Sequence, residues 1–313
     1  MAAGSSYISG TLDPATPKVM RIAILGTGLI GSSIGLALRR VGFAGSIFGW
    51  DKEPAALARA RLMGAVDPAP ASADQDEPFL YAMASQIIVL AGPVFSIADW
   101  LEQLAPVLSP NQLVTDVGSV KGYLLARAGD LYNLPGRPAY LPGHPMAGKE
   151  YSGAQHAEAA LFEGAAWLLT PPAAVEPHPL EGEWRSWVGR MGARITDLPP
   201  EKHDLLCAWV SHLPQMVSTA LSALFEESFR RRFADDPELG GIGGRALREM
   251  TRLGASPFSM WRDIAHTNAP AIEAALLALE QELTHIRENL RTAELRTAFE
   301  QANAFRASLT PRP

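Results

Sequence analysis

The run Gly143-His144-Pro145-Met146-Ala147-Gly148 sets a histidine between glycines directly after an apolar stretch, residues 139–142, that reads as a strand. An imidazole of ordinary pKa, ~6.5, takes a proton from an alcohol at neutral pH, and the neighbouring glycines allow a substrate close approach. A loop histidine with a satisfied ring is the plainer alternative. The segment Asp116-Val117-Gly118-Ser119-Val120-Lys121 also follows a strand-like run and could bring the Ser119 hydroxyl to the same place. There the hydroxyl would fix the imidazole's tautomer and share the substrate proton. Ser119 could equally cap a helix read over 120–128, and both roles can hold at once. Further on, Arg245, Arg248 and Arg252 fall at i, i+3 and i+7, one face of a predicted helix. Such a cluster suits an anionic substrate, although a solvated arginine stripe has the same spacing.

A second constellation points to a nucleotide. Gly26-Thr27-Gly28-Leu29-Ile30-Gly31 follows a strand-like run at 19–25 and precedes an amphipathic run at 34–41. Gly26 permits a tight turn, Gly28 lets the backbone approach a pyrophosphate, and Gly31 lets helix and strand pack closely. The phosphates then meet the positive helix end and the first N–H groups, those of Leu29 and Ile30. Another apolar run, 46–50, ends in Asp51, twenty positions after Gly31, where a carboxylate accepts hydrogen bonds from an adenosine ribose. The same charge repels a 2′-phosphate, so the expected cofactor is NAD rather than NADP.

These residues need a scaffold. Short apolar runs at 22–25, 47–50, 87–91, 113–117, 139–142 and 167–170 alternate with helical patterns, which predicts a mainly parallel sheet with helices on both faces. After a last such run at 195–198 the periodicity is helical to the end. The expected domains are therefore 20–198, binding a dinucleotide, and 199–313, all helical, after a disordered leader over 1–18. Residues 68–78 and 171–179 read as surface excursions. In the helix starting near Pro199, Leu206, Trp209, Val210, Leu213, Val217, Leu221 and Leu224 form one apolar face, kinked at Pro214 beside His212. Ile272, Leu276, Leu279, Leu283, Ile286 and Leu290 form a seam for lengthwise packing, either within the domain or against a second copy.

Composition narrows the rest. With 313 residues, 47% of them hydrophobic, the chain can bury a large core, and its net charge of −6 argues against nucleic acid or an anionic membrane as partner. An anionic substrate then needs a local basic pocket. No apolar run approaches the roughly 20 residues of a membrane span, and the first residues lack the blocks of a signal peptide, so a cytoplasmic protein is expected. The single cysteine, Cys207, is expected to be a buried apolar side chain, with no metal site. His156, His178, His203, His266 and His285 show no ligand spacing, and His203 reads as local structure or as support for the site.

Together the motifs resemble the prephenate dehydrogenase family of tyrosine biosynthesis. The resemblance runs through GTGLIG at 26–31, DVGSVK at 116–121, GHPMAGKEYSG at 143–153, LFEGAAWLLTP at 161–171, HDLLCAWVSHLP at 203–214 and TRLGASPFSMWRDI at 251–264. It implies a Rossmann-type α/β domain followed by an all-α dimerisation domain of the 6-phosphogluconate-dehydrogenase-like kind, working as a homodimer. It also implies NAD-dependent oxidative decarboxylation of prephenate to 4-hydroxyphenylpyruvate, or of arogenate to tyrosine. By this resemblance His144 is the histidine that hydrogen-bonds the ring C4 hydroxyl, and Ser119 assists it. Arg252 holds a substrate carboxylate with Arg248 nearby, while His212 and Glu150 are further site positions. Trp261 matches a tryptophan that in some relatives approaches from the partner subunit. Gln215 departs from the pattern, standing where a histidine is frequent. A β-hydroxyacid dehydrogenase would need a lysine near His212, which the sequence lacks, and a non-catalytic dinucleotide sensor would have no use for His144, Ser119 and Arg252 together.

Overall fold

The strands β1 (Arg21–Leu25), β2 (Ser46–Trp50), β3 (Ile87–Leu90), β4 (Leu113–Asp116) and β5 (Ala139–Leu141) form a parallel sheet in the order β2-β1-β3-β4-β5. Four residues of β1 and all of β3 and β4 are buried, as expected of inner strands covered on both faces. Helices α1 (Leu29–Arg40), α2 (Pro54–Leu62), α3 (Pro78–Met83), α4 (Val94–Leu104) and α5 (Gly122–Ala128) connect them. The computed structural model describes residues 19–68, 78–173, 175–229, 231 and 242–309. The expected leader over 1–18 and residues 69–77 of the first excursion lie outside these.

The single, mainly parallel sheet expected from the apolar runs is corrected. β5 stops at Pro142, which has no N–H to donate, and the chain leaves the first sheet there. Residues 143–145 form β6 (Gly143–Pro145) of a separate three-stranded sheet, antiparallel to β7 (Ala166–Leu169), with β8 (Arg194–Asp197) parallel to β7 beyond it. His144 is therefore a strand residue opposite Leu168 and not a loop histidine. The two sheets share a core in which Trp167 packs edge to face on Trp184 of α6 (Pro179–Arg190) and at a tilt against Phe162.

The helical domain contains α7 (Pro200–Cys207), a wide π-helical turn (Ala208–His212) and α8 (Leu213–Leu224). Beyond the undescribed residues follow α9 (Arg245–Thr251), α10 (Phe258–Thr267), α11 (Ala269–Glu288) and α12 (Ala293–Ser308). Pro214 sits in the first turn of α8, so the wide turn before it absorbs the hydrogen bond that proline cannot make. The apolar face along α7 and α8 is largely exposed: Trp209 is 46%, Val210 64% and Leu224 58% exposed, while the buried positions are His203, Cys207, Ala208, His212, Gln215 and Ser218. Similarly, the α11 seam is buried at Ile272 but 57% exposed at Leu283. No helix among the described residues is long and apolar enough to cross a membrane.

Candidate active site

β1 has β2 on one side and β3 on the other, so the turn after β1 opens at the point where strand order reverses, the place where doubly wound sheets bind ligands. Gly26 has φ +99°, and a Cβ on it would strike the Ala91 carbonyl. A Cβ on Gly31 would collide with the Gly26 carbonyl. Around Gly28, by contrast, a Cβ would meet nothing within 4 Å, and no side chain caps the first N–H groups of α1. An uncapped helix end facing open space suits a pyrophosphate. Asp51, at the end of β2, accepts hydrogen bonds from the Thr27 N–H at 2.7 Å and the Glu53 N–H at 2.9 Å, so its carboxylate is fixed beside the turn.

His144 is buried, and its Nδ1 lies 3.0 Å from Nε2 of His203 on α7. Nδ1 of His203 in turn lies 2.8 Å from Oδ1 of Asp204. The tautomers follow from this chain. A carboxylate only accepts, so His203 carries its proton on Nδ1 and offers the lone pair of Nε2. His144 must then donate from Nδ1, which leaves the lone pair of its own Nε2 with no partner among the described residues. Burial, reinforced by His203, Lys121 and His212, holds His144 well below the usual imidazole range, and burial also lowers His203. Both rings are neutral at pH 7, and Nε2 of His144 is a proton acceptor. Asp204 is itself held ionised, because hydrogen bonds from His203, Lys121 and Gly122 outweigh the burial that would raise its pKa.

Asp204 also corrects the reading of Ser119. α5 starts at Gly122, and its first N–H groups, on Lys121 and Gly122, donate to the Asp204 carboxylate at 2.7 and 2.8 Å. Ser119 is therefore not the cap, nor does it set the tautomer of His144, which His203 does. It stays half-buried beside β4 with no hydrogen bond to another described residue.

A buried knot holds β6 in place. Lys121, fully buried, donates to Asp116 Oδ1 at 2.5 Å and to the Gly143 carbonyl at 2.7 Å, and the Tyr140 hydroxyl donates to Asp116 Oδ2 at 2.7 Å. The Gly118 N–H donates to the same carboxylate at 2.6 Å. Burial lowers the Lys121 pKa against the pull of Asp116. With each carboxylate oxygen satisfied, the ion pair tolerates its dry surroundings and ties the end of β4 to the residue before His144.

On the other side of the site, Asn268 Nδ2 donates to the Asp204 carbonyl at 3.0 Å and lies 3.3 Å from His212 Nδ1. The carbonyl can only accept, so that nitrogen is the donor and His212 carries its proton on Nε2. This buried Nε2 has no partner among the described residues, and burial lowers the His212 pKa to about 4. It is a neutral N–H donor suited to a carboxylate. The wide turn brings residue 212 round to the face already held by His203 and Cys207. Trp261 packs edge-on against His212 of the same chain, ring centroids 5.8 Å apart. Arg252 forms an ion pair with Glu150. The single arginine face is corrected: α9 ends at Thr251, Arg252 sits on the following tight turn, Arg245 pairs with Glu249, and Arg248 is exposed. The metal-free environment expected of Cys207 is also less simple than its burial implied, since its sulfur lies beside both His144 and His203.

The fold and site define a class: a Rossmann-type nucleotide-binding domain joined to a helical domain, with an oriented imidazole at the junction, the plan of a two-domain dinucleotide-dependent oxidoreductase. The sequence pattern of the family described as prephenate dehydrogenase, nucleotide-binding domain, matches residues 34–196, and that of its dimerization domain matches residues 199–303. The chain belongs to the prephenate dehydrogenase family. It is 31% identical over 258 residues to the prephenate dehydrogenase of Bacillus subtilis (strain 168), a match covering 80% of this chain and 65% of that one. Among solved structures it is similar to the A. aeolicus prephenate dehydrogenase in complex with hydroxyphenyl propionate and NAD+, with a TM-score of 0.75 and 30% identity over 94% of this chain and 97% of that one. It is likewise similar to Synechocystis arogenate dehydrogenase, with a TM-score of 0.71 and 31% identity over 93% and 100% of the two chains.

Proposed function

We propose that the protein oxidises prephenate to 4-hydroxyphenylpyruvate and carbon dioxide, with NAD as hydride acceptor. The observation that carries this reading is the Asp204–His203–His144 chain, which leaves Nε2 of His144 unprotonated and without a partner among the described residues. NAD supplies the site that takes hydride from C4 of the ring. Gly26 and Gly31 shape the turn and Gly28 leaves room for its pyrophosphate, which the N–H groups of Leu29 and Ile30 would hold, while Asp51 would accept from the ribose hydroxyls. The A. aeolicus relative, solved with a hydroxyphenyl acid and NAD+, supports the pairing of ligand and cofactor.

The chain's own residues orient and hold charge. Nε2 of His144 accepts the C4 hydroxyl proton as that oxygen loses electron density, and Ser119 can donate to the same oxygen. His212 offers its N–H to one carboxylate, while Arg252, with Arg248 nearby, attracts the other. Glu150 sets the direction of Arg252. Loss of the ring carboxylate makes the ring aromatic, so the protein need only position C4 and the two anions. Trp261 shields the His212 side from water.

The resemblance to Synechocystis arogenate dehydrogenase favours a second reading, in which the substrate carries an ammonium in place of the keto group. The pairing of Glu150 with Arg252 weighs against it, because that carboxylate's charge is already matched. The exposed apolar faces of α7, α8 and α11 fit a homodimer through the helical domain, and dependence on the cell's NAD pool fits a cytoplasmic location. The test is to add NAD with prephenate or with arogenate and follow reduced nicotinamide. A kcat/KM higher for prephenate supports the proposal, and turnover of arogenate alone contradicts it.

A further inference from the structure

His144 Nδ1, His203 Nε2 and Cys207 Sγ form a compact buried triangle. The two nitrogens are 3.0 Å apart, and the sulfur lies 3.6 Å from His203 Nε2 and 3.8 Å from His144 Nδ1. A tetrahedral zinc ion, with bonds of about 2.0–2.1 Å to nitrogen and about 2.3 Å to sulfur, sets its ligand atoms about 3.3–3.6 Å apart. The triangle is close to one face of such a site. His203 and Cys207 stand four residues apart on α7, a spacing that puts two ligands on one side of a helix, and His144 comes from β6. The outer nitrogen of His203 already donates to the Asp204 carboxylate, the support that metal-bound imidazoles usually have.

We propose that His144, His203 and Cys207 bind a thiophilic divalent cation, zinc foremost, and that its binding turns the enzyme off. The cation and the His144–His203 hydrogen bond compete for the same two nitrogens, so the relay that orients His144 and an occupied cation site exclude each other. To bind through Nδ1, His144 must carry its proton on Nε2. That converts the acceptor facing the substrate into a donor, with no net change in the ring's protonation. The proton released to solvent is the thiol's, as Cys207 becomes a thiolate ligand. The ammonium of Lys121 near the triangle is matched by Asp116, and Asp204 adds negative charge behind His203. Water completes the coordination.

The loss of activity rests on the reading of His144 as proton acceptor, whereas binding does not, so the test measures the two separately. Full-length protein freed of metal by chelator is titrated with cobalt(II) as the optical probe and with zinc as the inhibitor. The proposal predicts a thiolate-to-cobalt charge-transfer band at one equivalent and inhibition by zinc that chelator reverses. Cys207→Ala and Cys207→Ser, each compared with its own activity in chelator, lose the band and weaken zinc inhibition by more than about tenfold. Absence of the band in the unaltered protein, or equal zinc sensitivity in both variants, overturns the site. A full cobalt–thiolate band with undiminished turnover keeps the site but overturns both the switch and the role of His144.

Discussion

His144 of the first domain and His203 of the second meet at 3.0 Å, Nδ1 to Nε2, so the protonation of the imidazole on β6 is set by a residue on α7. The helical domain thus completes the site as well as extending the molecule. Because the same Asp204 carboxylate orients His203 and caps α5, the junction and the relay are one set of hydrogen bonds.

His203 is accordingly a positioning residue. Replacing it by phenylalanine leaves Nδ1 of His144 without an acceptor and frees the ring to change tautomer. The expected result is a fall in kcat of about 10–100-fold, with NAD affinity unchanged and an altered acid limb in the pH profile. A variant with full kcat and the original profile would assign the orientation of His144 to some other group.

Acid should loosen the fold at this junction. His144, His203 and His212 have pKa values lowered on folding, so the native state resists the protons that the unfolded chain binds at ~6.5. Their neutral forms therefore give full stability above that value, and stability is lost as pH falls below it. The slope is up to about 1.4 kcal/mol per pH unit for each histidine. For His212 the loss continues to its folded value of about 4. Thermal unfolding followed over about two pH units, from roughly pH 7 to pH 5, should show a falling Tm, with a shallower fall in His212→Asn. A Tm independent of pH across that window would mean the rings are not buried neutral.

The glycines of the nucleotide turn separate folding from binding. A methyl at Gly31 collides with the Gly26 carbonyl, backbone that cannot move aside, so Gly31→Ala should lower stability by about 1–3 kcal/mol. A methyl at Gly28 meets no protein atom within 4 Å, so Gly28→Ala should fold normally and raise KM for NAD. Denaturant unfolding paired with cofactor titration distinguishes them. Equal NAD affinity in Gly28→Ala would place the pyrophosphate elsewhere.

What could be read in the chain follows from how local each signal is. The turn after β1 and the carboxylate at 51 are neighbours through one strand pair, so spacing along the chain was enough to suggest their association. The junction was not legible in the same way. His203 and Asp204 act on residues from β6 and α5, roughly 60 to 80 positions earlier, and no periodicity records such contacts. The four-residue spacing of His203 and Cys207 was the available hint. The break between the two sheets was hidden because Gly143-His144-Pro145 carries no apolar run, so β6 reads as a loop after the strand that ends at Pro142. The apolar face of α7 and α8 was visible, but periodicity alone does not say whether its neighbour is the same chain or a second copy.

The account turns on Nε2 of His144, and single-turnover measurement of His144→Asn with prephenate and NAD tests it most directly. The amide keeps the shape of the site and removes the base, so the rate of nicotinamide reduction should fall by about 10²–10⁴ while substrate binding changes little. A rate equal to that of the unaltered protein would contradict the account.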